Sequence, residues 1–194
     1  SRKRQMWKRD RNMILGIIDA KNDKHRVLKR LERVAKLRGA EILAHCCIFS
    51  GTRSQDQDEL RKVEIERHKL WLDKLLEPLK AAGIKVEHQI AWDAEWRDNI
   101  CTAANESGCD LVIKATKRKG LTGRLRKSSD WQLLRTANIP VFLIKRQEPF
   151  ESAKVLVAVK ADRSDETYLK MNNSIIDLAN EILKPYKQGE LHAV

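Results

Sequence analysis

Met13-Ile14-Leu15-Gly16-Ile17-Ile18-Asp19 is a short apolar run that ends on a carboxylate. Its length suits a strand buried on both faces, as parallel sheets require, and is short for a buried helix. The residues after it have a different period. Val27, Leu28, Leu31, Val34 and Ala35 recur at helical spacing and line one face. Gly39 follows, where helices often close on a left-handed residue. A second apolar run, Ile42 to Phe49, comes next. Strand, helix and strand in that order form a parallel crossover unit.

The alternation continues outward. Ser50 to Asp58 is polar and reads as a loop. A long helix follows, with Leu72, Leu75, Leu76 and Leu79 on one face, Pro78 in its last turn and Gly83 near its end. Lys85 to Trp92 alternates as a strand does, with Val86, His88 and Ile90 on one face and Glu87 and Gln89 on the other. Asp93 reads as an N-cap for a helix carrying Trp96, Ile100, Ala103 and Ala104. Asp110 to Thr116 and Val141 to Lys145 are the fourth and fifth strands, with a short helix around Trp131 to Arg135 between them. The fold class is therefore α/β: a doubly wound, five-stranded parallel sheet with helices on both faces.

After Pro149 the pattern restarts. Lys154-Val155-Leu156-Val157-Ala158-Val159-Lys160-Ala161-Asp162 repeats the character of the first strand. A helix follows with Leu169, Ile175, Ile176, Leu178, Ala179, Ile182 and Leu183 available to bury, and Gly189 to Val194 opens another strand. Aligning Val157-Ala158-Val159 with Gly16-Ile17-Ile18 puts Lys160 opposite Asp19. Three segments are expected: a basic arm over 1–11, a complete domain over 12–148, and the start of a second, incomplete domain over 149–194.

Composition narrows the function classes. With 42% apolar and 34% charged residues the chain is globular, and it has no apolar run long enough to span a bilayer. Cys46, Cys47, Cys101 and Cys109 form no C-x-x-C pair and no zinc spacing with histidine. They read as reduced thiols of a cytoplasmic protein. His25, His45, His68, His88 and His192 show no ligand spacing, and each reads as a surface or strand histidine; no metal is expected. Trp71, Trp92, Trp96 and Trp131 read as packing residues. The formal charge of +12 permits phosphate-bearing partners, although a solvated basic surface explains it more simply than nucleic acid does.

Residues 12–146 resemble the universal stress protein family, and its tandem-domain type in particular. Ile17-Ile18-Asp19, Asp110-Leu111-Val112-Ile113-Lys114, Ser128-Ser129-Asp130-Trp131-Gln132-Leu133-Leu134-Arg135 and Ile139-Pro140-Val141-Phe142-Leu143-Ile144-Lys145 carry the resemblance, by order and spacing together. It implies a flavodoxin-like sheet, pairing with a second such domain in cis or in a homodimer, and a stress-survival role in the cytoplasm. It also implies a small-molecule ligand, with ATP as the nucleotide, at the carboxyl ends of the strands. Open α/β sheets place ligands there on general grounds.

The resemblance assigns a candidate site of seven residues. Asp19 matches the aspartate that reaches base and ribose, and serves equally well as a helix N-cap for the segment near Lys24. Gly120 and Gly123 match a phosphate loop whose glycines let backbone amides approach oxygen atoms. The family continues with Gly-Ser or Gly-Thr; here Lys127-Ser128 takes that place, so the motif is half present. Ser128 and Ser129 remain as donors, and Arg124 and Lys127 are the nearest compensating charges. A basic turn with no ligand accounts for the same residues.

No catalytic residue is assigned, so the leading expectation is a non-enzymatic stress-response protein that binds a small ligand or protein partners. An enzyme that hydrolyses or transfers nucleotides is the first alternative. It would need a base and a metal ligand, and Asp19 is the one evident carboxylate. A basic nucleic-acid binder is the second, without a recognised motif.

Overall fold

The computed structural model describes residues 12–21, 25–48, 57–93, 96–116, 129–145, 152–160 and 165–194. They fall into two compact units, Ser1–Gln147 and Glu148–Val194.

In the first unit five strands alternate with four helices: β1 (Met13–Ile17), α1 (Val27–Arg38), β2 (Glu41–Ile48), α2 (Gln57–Ala81), β3 (Val86–Trp92), α3 (Trp96–Ser107), β4 (Leu111–Ala115), α4 (Ser129–Thr136) and β5 (Val141–Ile144). All strands run parallel in the order β3-β2-β1-β4-β5. The chain thus winds outward from β1 one way, then returns and winds the other way from β4. The reversal lies between β1 and β4, which is where doubly wound sheets open a crevice at their carboxyl ends.

Alternation of side chains divides the core into two layers. Ile14, Ile42, Ala44, Cys46, Leu111 and Ile113 face the apolar stripes of α1 (Val27, Leu31, Ala35) and α2 (Leu72, Leu76, Leu79). Met13, Leu15, Ile17, Leu43 and Val112 face Ile100 and Ala104 of α3 and Leu133 of α4. Each large residue here is worth about 2–5 kcal/mol against truncation to alanine. Gly16 lets α1 lie close against β1: a Cβ there would stand 2.5 Å from Leu31 Cδ1. Gly39 closes α1 with φ +59°, donating its N–H to Ala35 O, as its position predicted.

Some details depart from the sequence reading. The polar stretch assigned to a loop overlaps α2, which begins at Gln57, because acidic residues such as Asp58 and Glu59 favour a helix's first turn. Trp131 is 63% exposed, whereas Leu133 on the same helix is buried. Residues two apart on a helix point to opposite sides, so α4 cannot bury both. Trp71 is half-buried as expected, with the His25 ring 5.3 Å away and the His68 ring 6.0 Å away. All four cysteines are free; Cys46 and Cys109 are buried.

The second unit contains β6 (Lys154–Val157), α5 (Glu166–Leu183) and β7 (Glu190–Ala193), with β6 and β7 parallel. Its register reproduces the opening of the first unit. Met13 pairs with Glu41 and Lys154 with Glu190. Ile18 N donates to His45 O at 2.9 Å, and Val159 N donates to Val194 O at 2.9 Å. Ile18 and Val159 therefore correspond, which sets Lys160 opposite Asp19. Asn172 clamps the Lys160 backbone, accepting from its N–H at 3.2 Å and donating to its carbonyl at 2.8 Å, while the Lys160 ammonium lies 3.5 Å from the centre of the Tyr168 ring. Leu169 and Ile182, read as available to bury, are exposed; Ala179 is the buried residue of α5. A two-stranded sheet offers one helix too little surface to cover its whole stripe.

Candidate functional site

The site is built where β1 and β4 end side by side. Ile17 and Lys114 are register partners, so the segment leaving β1 passes directly beside the end of β4. Asp19 lies in that segment. Its Oδ1 accepts the Lys21 N–H at 3.0 Å, the local turn that aspartate side chains form with backbone two residues on. It does not cap α1: the cap position is Arg26, and no side chain satisfies the helix there. The N-cap reading of Asp19 is thereby set aside, because the helix begins at Val27 rather than near Lys24. The carboxylate is half-buried at the carboxyl end of the sheet.

At the end of β4 the Lys114 ammonium turns toward α4. Its Nζ donates to Asp130 Oδ1 at 2.8 Å and to Ala115 O at 3.2 Å. The side chains are 12% and 19% exposed, so the pair is far better shielded than a surface ion pair worth about 0–1 kcal/mol. Thr116 extends the pairing of β4 with β5: its N–H and its hydroxyl both donate to Ile144 O, at 2.9 and 3.2 Å. The start of α4 is thus tied to the strand next to β1.

Of the seven residues assigned from sequence, Gly120, Gly123, Arg124, Lys127 and Ser128 lie outside the described residues. Ser129 opens α4, and its side chain lies outside them too. Asp19 stands where expected. Sequence reasoning did not assign Lys114 and Asp130. The available signal was a lysine closing the apolar run Leu111-Val112-Ile113, since a charge inside a buried strand needs a partner.

A second polar group lies on the face of β2 that meets α3. His45 is fully buried, and neither ring nitrogen makes a hydrogen bond of good geometry to protein. His45 is a strand histidine, as the sequence reading allows, and a wholly buried one. Nearby, Cys47 Sγ donates to Asp93 O at 3.3 Å, and Asn99 Nδ2 donates to Asp93 Oδ2 at 3.2 Å. Burial pushes the Cys46 thiol up to about 12, with the negative charges of Cys47 and Asp19 adding to it. Burial raises Cys109 to about 12 as well. Neither supplies a thiolate at neutral pH. Among the described residues no group of three or more His, Cys, Asp or Glu side chains could hold a metal ion, and no helix is long and apolar enough to cross a membrane.

Comparison with known proteins agrees with this architecture. The chain is 24% identical over 193 residues to the universal stress protein E homolog of Haemophilus influenzae, covering 93% of this chain and 62% of that protein. The chain thus spans about three-fifths of the length of the curated relatives it matches. Among solved structures, a protein of Pseudomonas aeruginosa UCBPP-PA14 described as a universal stress protein superposes with a TM-score of 0.75 at 24% identity, over 96% of this chain and 62% of that one. The universal stress protein of Archaeoglobus fulgidus in complex with dAMP superposes with a TM-score of 0.51 at 24% identity, over 69% of this chain and 98% of that one. The sequence model of the Universal stress protein family matches residues 11–145, which take in the whole five-stranded sheet and every residue of the candidate site, and the chain belongs to that family.

Proposed function

We propose that this protein acts in the cytoplasm as a non-enzymatic stress-response factor, holding an adenine nucleoside or nucleotide at the carboxyl ends of β1 and β4. The observation that carries the reading is the position of Asp19. It is a half-buried carboxylate at the topological reversal of the sheet, able to accept hydrogen bonds from ribose hydroxyls or a base amine. The dAMP complex of the Archaeoglobus relative supports the ligand class.

The same reading extends to domain organisation. Residues 12–148 form the ligand-binding domain, and residues 149–194 open a second domain of the same kind. Support comes from the shared register, in which Met13–Glu41 and Lys154–Glu190 are equivalent pairs. That second domain in cis, or a second copy of the chain, is the expected partner. Its opening unit places Lys160 where the first has Asp19, so the two halves would differ in what they hold.

Calorimetric titration with adenosine tests the reading. Asp19→Ala should weaken binding by at least about tenfold, equivalent to one charge-assisted hydrogen bond. Equal affinity of the variant and the parent protein would place the ligand elsewhere.

A further inference from the structure

We propose that His45 is an acid-sensitive latch: a proton taken up there lifts the start of α3 away from β2 and frees Cys47, while the layer on the other side of the sheet stays closed. The ground is an unpartnered buried imidazole lying under a lightly anchored helix.

His45 lies on the face of β2 that it shares with Leu43, which packs against α3. It has no exposed surface, and neither ring nitrogen is hydrogen-bonded. Its register partners are the apolar Ile17 of β1 and Gln89 of β3. Gln89 and Asn99 of α3 favour a charged ring, but by less than burial opposes it. Asp93, just past β3, is engaged elsewhere: its carbonyl accepts from Cys47 Sγ at 3.3 Å, and its Oδ2 accepts from Asn99 Nδ2 at 3.2 Å. On the same face of β3 Glu87 is exposed, as is Asp98 of α3. The thiol of Cys101 on α3 meets Thr136 at 3.7 Å. His88 belongs to the opposite face of β3, 3.5 Å from Asp73. The side chains of Glu95 and Arg97 lie outside the described residues. A proton on His45 therefore hydrogen-bonds to no described carboxylate while α3 is closed, and a buried charge without a partner is costly.

The relief lies with α3. On the other face, α1 is held by Val27 and Leu31, and α2 by Leu72, Leu76 and Leu79. Among its described residues α3 buries one large apolar side chain, Ile100, beside Ala103 and Ala104. Swinging its start outward gives up less apolar contact than opening the α1 and α2 layer, and it brings water to the ring. Asn99 and Asp93 link that start to Cys47, so the same movement releases the thiol. The open form accepts the proton more readily than the closed one, so its population grows as pH falls below about 6.5, by up to about tenfold per pH unit.

Cys46 and Cys47 are matched reporters of this movement. Cys46 belongs to the cluster under α1 and α2, so opening α3 leaves it covered, whereas Cys47 points to the other face. The test is pulse labelling of the full chain with N-ethylmaleimide, located by tandem mass spectrometry. Each rate is divided by that of the same thiol in the urea-unfolded chain at the same pH. From pH 7.5 to pH 5 the Cys47 ratio should rise by at least about tenfold, with Cys46 remaining at least about tenfold slower. In His45→Phe and His45→Leu the rise should be lost; two variants are used so that a folding defect in one leaves the other readable. The parent protein needs no variant for two of the decisive results. Cys46 labelled as fast as Cys47 at pH 5 would mean that the whole domain unfolds, and would overturn the proposal. A flat Cys47 ratio would overturn it too, and so would a rise that survives in a folded variant.

Discussion

His45 stands in β2 with no exposed surface and no well-formed hydrogen bond to either ring nitrogen. Burial disfavours the imidazolium and lowers its pKa below 6.5; the side chains of Asn99 and Gln89 oppose that shift without cancelling it. The folded protein therefore takes up this proton later than the unfolded chain as pH falls. The stability that neutral His45 provides is complete above about pH 6.5 and is lost progressively as pH falls toward the lowered folded-state value. Thermal melting between pH 7.5 and pH 5 should show this loss, and His45→Leu, which removes the titrating group but keeps an apolar side chain, should flatten it. An equal acid slope in parent and variant would remove His45 as the cause. Lys114 and Asp130 solve the same burial problem the other way, by pairing at 2.8 Å. These polar residues were the least legible in the sequence. Each sits in an otherwise regular apolar pattern, and which neighbour meets it depends on elements far apart in the chain. The position of Asp19 was legible because it directly follows a short apolar run that reads as a buried strand.

At the scale of elements, legibility followed the strength of the period. The face of α1 was set by Val27, Leu31 and Ala35, and its end by Gly39. In β3 the alternation of half-buried Val86, His88 and Ile90 with exposed Glu87 and Gln89 is as the sequence implies. Where the pattern was polar, propensity misled: Gln57 and Asp58 looked like loop and open α2. In α4 the helix was visible but its orientation was not, since an eight-residue segment carries too few turns to say whether Trp131 or Leu133 faces the sheet. The half-formed phosphate motif, Gly120 to Ser129, spans the connection from β4 to α4. Sequence could assign it a role only by resemblance, because glycine spacing in a basic turn does not by itself specify a ligand.

At the scale of the whole molecule, the five-stranded sheet carries helices on both faces and contains both buried clusters, whereas the β6–α5–β7 unit buries chiefly Ala153, Val157 and Ala179. A chain truncated after Glu148 should keep a single cooperative thermal transition, and loss of that transition would show that residues 149–194 are needed for the first domain to fold. The formal charge of +12 should accelerate the approach of any anion, an effect that fades as salt rises, but selection at the site is local. The central claim is that a nucleoside is held where β1 and β4 end. Amide chemical shifts during an adenosine titration of the full chain test it most directly. The account predicts saturable shifts concentrated at residues 17–21, at 114–116 and at the start of α4. Saturable shifts confined to other parts of the chain, or none at all at millimolar adenosine, would contradict it.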